Sequence, residues 1–110
     1  MNLVSMIDHA VLHPTATDDD LVRECTLAAK LGVASVCVKP YMVARATTLL
    51  ADSSVVVGTV IGFPQGGNVT EVKAAEAMLA CQHGAVELDM VINIGKALQE
   101  DWDYITADIQ

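Results

Sequence analysis

Four short runs rich in Val, Ile and other apolar residues begin near residues 6, 34, 55 and 86, and each interval between them has room for one helix and two short loops. No other property of the chain constrains its fold as tightly. Antiparallel strands can be joined by a tight hairpin, whereas successive parallel strands need a crossover of roughly a dozen residues or more. Repeated strand–helix units therefore predict an α/β protein on a parallel sheet. Periodicity alone does not choose between an open doubly wound sheet and part of a closed barrel.

Local signals place the elements. The first strand is predicted from Met6 to Leu12. His13-Pro14-Thr15-Ala16 then breaks the pattern, and Thr17 is a candidate N-cap with three aspartates, Asp18 to Asp20, at the positive helix end. The apolar stripe from Leu21 to Leu31 stops at Gly32. Ala34–Val38 reads as the second strand, Pro40 opens a helix continuing through Leu50, and Val55–Ile61 is the third strand. After the loop from Gly62 to Gly67, Asn68 and Glu71 have capping-box spacing for a helix ending near Gly84. The fourth strand spans Val86–Asn93, and a last amphipathic helix carries Leu98, Trp102, Ile105 and Ile109.

A length of 110 residues suits a single domain, and 53% apolar residues with few aromatics predict a core of Val, Ile, Leu, Ala and Met. A net charge of −8 argues against a basic surface for nucleic acid. No run approaches a membrane span and no basic N-terminal region precedes an apolar one, so a cytoplasmic protein is expected, without membrane or nucleic-acid partners. Cys25, Cys37 and Cys81 fit neither a disulfide framework nor a zinc pattern. Cys25 and Cys81 fall in helical patterns and read as core packing.

The fourth strand carries the chemistry. On Val86–Asn93 the polar residues Glu87, Asp89 and Asn93 alternate and share one face with Val91, while Val86, Leu88, Met90 and Ile92 take the other. Carboxylates are costly to bury without partners, so a polar face on a strand covered by helices marks a site. A half-exposed edge strand is the plainer reading. Asp8, Lys39 at the end of the second strand, the Gly62–Gly67 loop, Asp89 and Asn93 all fall within or just past strands, where parallel α/β folds place active sites. Asp89 is the leading acid/base candidate, its carboxyl tuned by partial burial. A structural salt bridge to a lysine is its other role. Asp8 either orients that network or accepts backbone hydrogen bonds. Cys37 reads by default as a packed thiol facing the interior. His9 and His13 share a strand face but Asp8 points away, so no metal site is predicted. The Gly62–Gly67 loop lacks phosphate-binding patterns and reads as a turn.

At these residues the chain resembles the deoxyribose-phosphate aldolase family. The resemblance is carried by Ile7-Asp8-His9, Ser35-Val36-Cys37-Val38 with Pro40, Val57 to Pro64 with Gly66, Glu87 to Gly95, Asp101-Trp102-Asp103, and Asp108-Ile109. Ala10 stands where the family commonly has Thr. The resemblance implies a (β/α)₈ barrel, of which residues 1–110 supply about four βα units, the N-terminal half of one domain. It implies reversible cleavage of 2-deoxyribose 5-phosphate to glyceraldehyde 3-phosphate and acetaldehyde, through a lysine Schiff base and without metal or cofactor. Asp89 matches the proton-relay aspartate and Asp8 the supporting one; Cys37, Lys39 and Asn93 are expected beside the sugar phosphate.

The family's Schiff-base lysine and its second lysine lie on the sixth and seventh strands, and none of Lys30, Lys39, Lys73 and Lys96 matches either. Lys39, at a strand end, is the one substitute amine to consider. The isolated chain is expected to be inactive. Its open first and fourth strands favour homo-oligomerisation or pairing with a separate C-terminal half. An isomerase on a similar barrel is disfavoured by the ordered motifs.

Overall fold

The computed structural model describes residues 2–110. Four strands, β1 (Asp8–Val11), β2 (Ser35–Val38), β3 (Val56–Ile61) and β4 (Glu87–Met90), pair in parallel in the order β1-β2-β3-β4. The connecting helices are α1 (Asp18–Leu31), α2 (Val43–Leu49) and α3 (Thr70–Gln82), and β4 leads into α4 (Ile94–Leu98) and α5 (Trp102–Ile109). This order resolves the choice that periodicity leaves open. In a doubly wound sheet the strand order reverses, so right-handed crossovers place helices on both faces. Here the order never reverses, so the crossovers stack on one face and leave the other clear.

The register follows from that arrangement. Asp8 pairs with Ser35, Cys37 with Gly58, Gly58 with Glu87, and Val60 with Asp89. Neighbours in a parallel ladder point the same way, so Asp8, Ser35, Cys37, Glu87 and Asp89 share the face opposite the helices. Val11, Val36, Val38, Val57 and Ile61 take the helix face and form the core with Leu21, Met42 and Val43. Burial is uneven across the sheet. Every residue of β2 is buried, whereas Glu87, Leu88 and Asp89 of β4 are exposed and Met90 is half-buried.

The capping signals at α1 are met in full. Thr17 and Asp20 form a reciprocal capping box, and Gly32 ends the helix at φ +69°. The Thr17 backbone N–H, followed by Arg23, lowers the Asp20 carboxyl to about 2.

Several expectations are corrected. The predicted continuous second helix begins as a 3₁₀ turn at Pro40–Met42. Asn68 does not cap α3; Val69 occupies that position with no side-chain cap bond. The Asn-to-Glu spacing is thus one residue out of phase with the helix start. The last helix is two, broken where Glu100 adopts φ +60°, so Leu98 and Trp102 are exposed while Ile105 is buried. Cys25 packs in the core, but Cys81 is exposed, because the inward stripe of α3 runs through Lys73 and Ala80. β4 is shorter than Val86–Asn93 and is not covered on both faces. As an edge strand it has one ladder partner, and its inner face meets no opposite wall.

Gly66 fixes the turn after β3 against the chain beyond β4. Its φ is +68°, and an added Cβ would stand 2.0 Å from the Ile92 carbonyl oxygen. Gly66→Ala is expected to cost about 1–3 kcal/mol through the left-handed backbone alone, and the blocked approach adds to that. Urea denaturation of the variant checks the loss.

Candidate active site

The clear face of the sheet gathers residues from three strands. Asp8 of β1, Cys37 of β2 and Asp89 of β4 bring one oxygen or sulfur atom each within 4.8 Å of one another. The Cys37 thiol donates to Asp89 Oδ2 at 3.6 Å, and the Ser35 hydroxyl donates to Asp8 Oδ1. Alternation along the strands puts these groups on one face, and the ladder staggers them along it: Asp8 pairs with Ser35, Cys37 with Gly58 two residues further on, and Asp89 with Val60 two beyond that. Asp8 and Asp89, near opposite ends of the chain, thereby meet.

The cluster is layered by burial. Cys37 and Ser35 are only 2% and 1% exposed, whereas both carboxylates face the open side. The partial burial expected of Asp89 is therefore absent, for the same reason that β4 is exposed: nothing covers this face. Desolvation, then the charges of Asp8 and Asp89, push the Cys37 thiol from its ordinary 9.0 up to about 12. It is a protonated donor at neutral pH and matches the packed-thiol expectation rather than a nucleophile. Each of the three converging groups offers one oxygen or sulfur atom that a cation could use, a grouping the His9 and His13 spacing does not reveal. A cation there would first have to displace the thiol proton.

Two expected site residues lie elsewhere. Lys39 donates to the carbonyls of His13, Pro14 and Ala16, at 3.1, 3.5 and 2.9 Å. An ammonium has three protons, and all are committed to the loop between β1 and α1. Asn93 is not on the strand face. It caps α4, accepting from the Lys96 N–H at 3.1 Å. His9 bonds Glu24 at 2.9 Å and His13 bonds Thr15 at 2.8 Å, so the two histidines serve different neighbours.

Sequence reasoning missed Ser35 as the partner of Asp8, although its two-residue spacing from Cys37 puts both on one face. It also passed over Lys73, whose buried ammonium pairs with Asp108 at 2.6 Å. The signal was present. Lys73 sits four and seven residues before Ala77 and Ala80, on the inward stripe of α3.

A family model described as DeoC/LacD family aldolase matches residues 3–110. The deoxyribose-phosphate aldolase of Desulfitobacterium hafniense is 47% identical over 109 residues, covering 99% of this chain and 50% of that protein. A crystal structure described as a deoxyribose-phosphate aldolase from Coccidioides immitis superimposes with a TM-score of 0.96 at 38% identity, over 98% of this chain and 43% of that one. A tetrameric deoxyribose phosphate aldolase from Aeropyrum pernix gives a TM-score of 0.80 at 33% identity, over 84% and 40%. The chain thus spans about half the length of the relatives it matches.

The Cys37 environment makes a chemical prediction. A thiol raised to about 12 stays protonated at pH 8, so iodoacetamide should modify exposed Cys81 and spare Cys37 until the chain is unfolded. Peptide mass mapping reads the order. Because the folded value exceeds the unfolded one, this thiol's contribution to stability is full below about 9 and is lost as pH rises toward about 12.

Proposed function

The chain belongs to the DeoC/LacD aldolase family, and we propose that residues 1–110 are the N-terminal half of a deoxyribose-phosphate aldolase domain. The observation that carries the reading is the meeting of Asp8, Cys37 and Asp89 on the helix-free face. Each occupies a position of the family resemblance, and no structural need of the core brings two carboxylates to one open face.

In this reading the substrate is 2-deoxyribose 5-phosphate. An amine on the other half of the barrel condenses with its aldehyde, releasing water and forming a Schiff base that draws electrons from the bond between C2 and C3. Asp89 accepts the C3 hydroxyl proton as that bond breaks, and returns a proton to C2 after glyceraldehyde 3-phosphate departs; water then hydrolyses the remaining Schiff base, freeing acetaldehyde and the amine. Asp8, held by Ser35, and the protonated Cys37 thiol maintain the polar surface against which Asp89 works. The chain's own amines are poor substitutes. Lys30 is exposed in the last turn of α1, on the helix side of the sheet, Lys39 is bound by three carbonyls, and Lys73 and Lys96 are paired with Asp108 and Asp101. Class I aldolase chemistry of this kind uses neither metal nor cofactor, and its metabolite substrate fits a cytoplasmic setting. No described helix is long and apolar enough to cross a membrane.

A second reading is favoured by the sheet edges. β1 pairs only with β2 and β4 only with β3, so both ends offer unpaired backbone groups to another chain. The chain then acts as a half-barrel that self-associates or receives a separate C-terminal half. The tetrameric Aeropyrum pernix relative lends support to assembly in the complete enzyme.

Complementation tests both readings. The chain is mixed with a separately produced C-terminal half of the Desulfitobacterium hafniense enzyme, and acetaldehyde release from 2-deoxyribose 5-phosphate is followed. The mixture should turn over substrate, and Asp89→Asn should lower kcat by about 10²–10⁴-fold. The chain alone should give no turnover and no lysine adduct after borohydride reduction. Turnover by the chain alone would sink the half-barrel reading, and an unimpaired Asp89→Asn mixture would remove Asp89 from the mechanism.

A further inference from the structure

The end of β4 is fastened by a buried ion pair that the proposed chemistry does not use. Lys73 of α3 is 2% exposed, and its Nζ lies 2.6 Å from Asp108 Oδ2 on α5. The same ammonium donates to the Val91 carbonyl at 3.0 Å, and the Thr70 hydroxyl donates to Asp108 Oδ1 at 2.8 Å. The lysine stem runs against Gly62, where an added Cβ would stand 2.9 Å from Cε. The first two turns of α3, carrying Thr70, Lys73 and Glu76, are therefore aimed at this junction, since Glu76 also accepts the Gly62 N–H at 2.8 Å.

Stability does not explain the pair. Moving an ammonium and a carboxylate out of water is so costly that apolar residues of similar volume often serve as well or better. What apolar residues cannot supply is a donor to the Val91 carbonyl. Val91 lies two residues beyond Asp89, and its N–H donates to the Ile61 carbonyl at 2.9 Å. β3 turns away just there, at Gly62 with φ +65°. Past that point the edge strand has lost its one neighbouring strand, and Lys73 holds it from the helix side.

We propose that Lys73 is a positioning residue for Asp89. By binding the Val91 carbonyl while paired with Asp108, it fixes the carboxyl end of β4 so that the Asp89 carboxylate stays beside Cys37. The purpose of that placement rests on the reading of Asp89 as the proton-transfer group, but the placement itself can be measured without turnover.

The test uses the isotopically labelled 110-residue chain in solution NMR, comparing the parent with the double variant Lys73→Met, Asp108→Leu. The variant is expected to remain folded, yet the Val91 carbonyl and Asp89 Cγ signals should move or split. The Cγ signal of Asp19, exposed in the first turn of α1 and outside the cluster, should stay in place. A folded double variant whose Asp89 and Val91 signals overlay those of the parent would overturn the proposal. If the double variant does not fold, the parent chain decides. Slowly exchanging Lys73 ammonium protons with nuclear Overhauser contacts to the Val91–Ile92 backbone support the proposal. An ammonium exchanging as fast as that of exposed Lys30 overturns it. Failure of the aldolase reading would show instead as an inactive complemented mixture, with these signals unaffected.

Discussion

The right-handed crossover between parallel strands is the constraint on which the rest of this structure depends. Because the strands are laid down in the order β1-β2-β3-β4, each crossover puts its helix on the same side. One face becomes a Val-, Leu- and Met-rich core and the other receives every polar group that alternation directs away from it. Chemistry and packing are thereby assigned to opposite sides of a single layer. The four units constitute half of a (β/α)₈ barrel, and the gradient from fully buried β2 to exposed β4 follows from how much of that architecture surrounds each strand.

Within the polar face, closeness of charge is balanced by hydrogen bonding. The Asp8 and Asp89 carboxylates face the open side, while the groups beneath them, Ser35 and Cys37, are buried and donate upward. A hydroxyl and a protonated thiol are neutral donors, so they steady the carboxylates without cancelling their charge. The thiol keeps its proton because it sits below two anions and out of water.

Much of this is legible in the sequence because it is encoded locally. The strands at Ser35–Val38 and Val56–Ile61, the Thr17 cap and the Gly32 stop follow from alternation and from single residues with strong positional preferences. Asp8 and Asp89 stand out because an apolar strand gains nothing in packing from a carboxylate, whose charge must instead meet water, a partner or a substrate. The errors share a different cause. Whether Asn93 extends β4 or caps α4, and whether Lys39 faces substrate or binds carbonyls of another loop, depend on what lies nearby in space. Helix phase is the other source of error. Asn68 has cap spacing one residue early, and the inward direction of Lys73 emerges only when α3 is phased against Ala77 and Ala80.

The burial gradient also bears on how such a chain matures. β2 has a strand on each side and a helix layer against it, so it is enclosed by three neighbours. β4 has one ladder and its outward amides meet water. During synthesis the N-terminal units emerge first. A nascent chain of this design can set its early strands firmly while β4 stays exchangeable. The open edge of β4 is also the last edge of this four-stranded sheet to leave the ribosome.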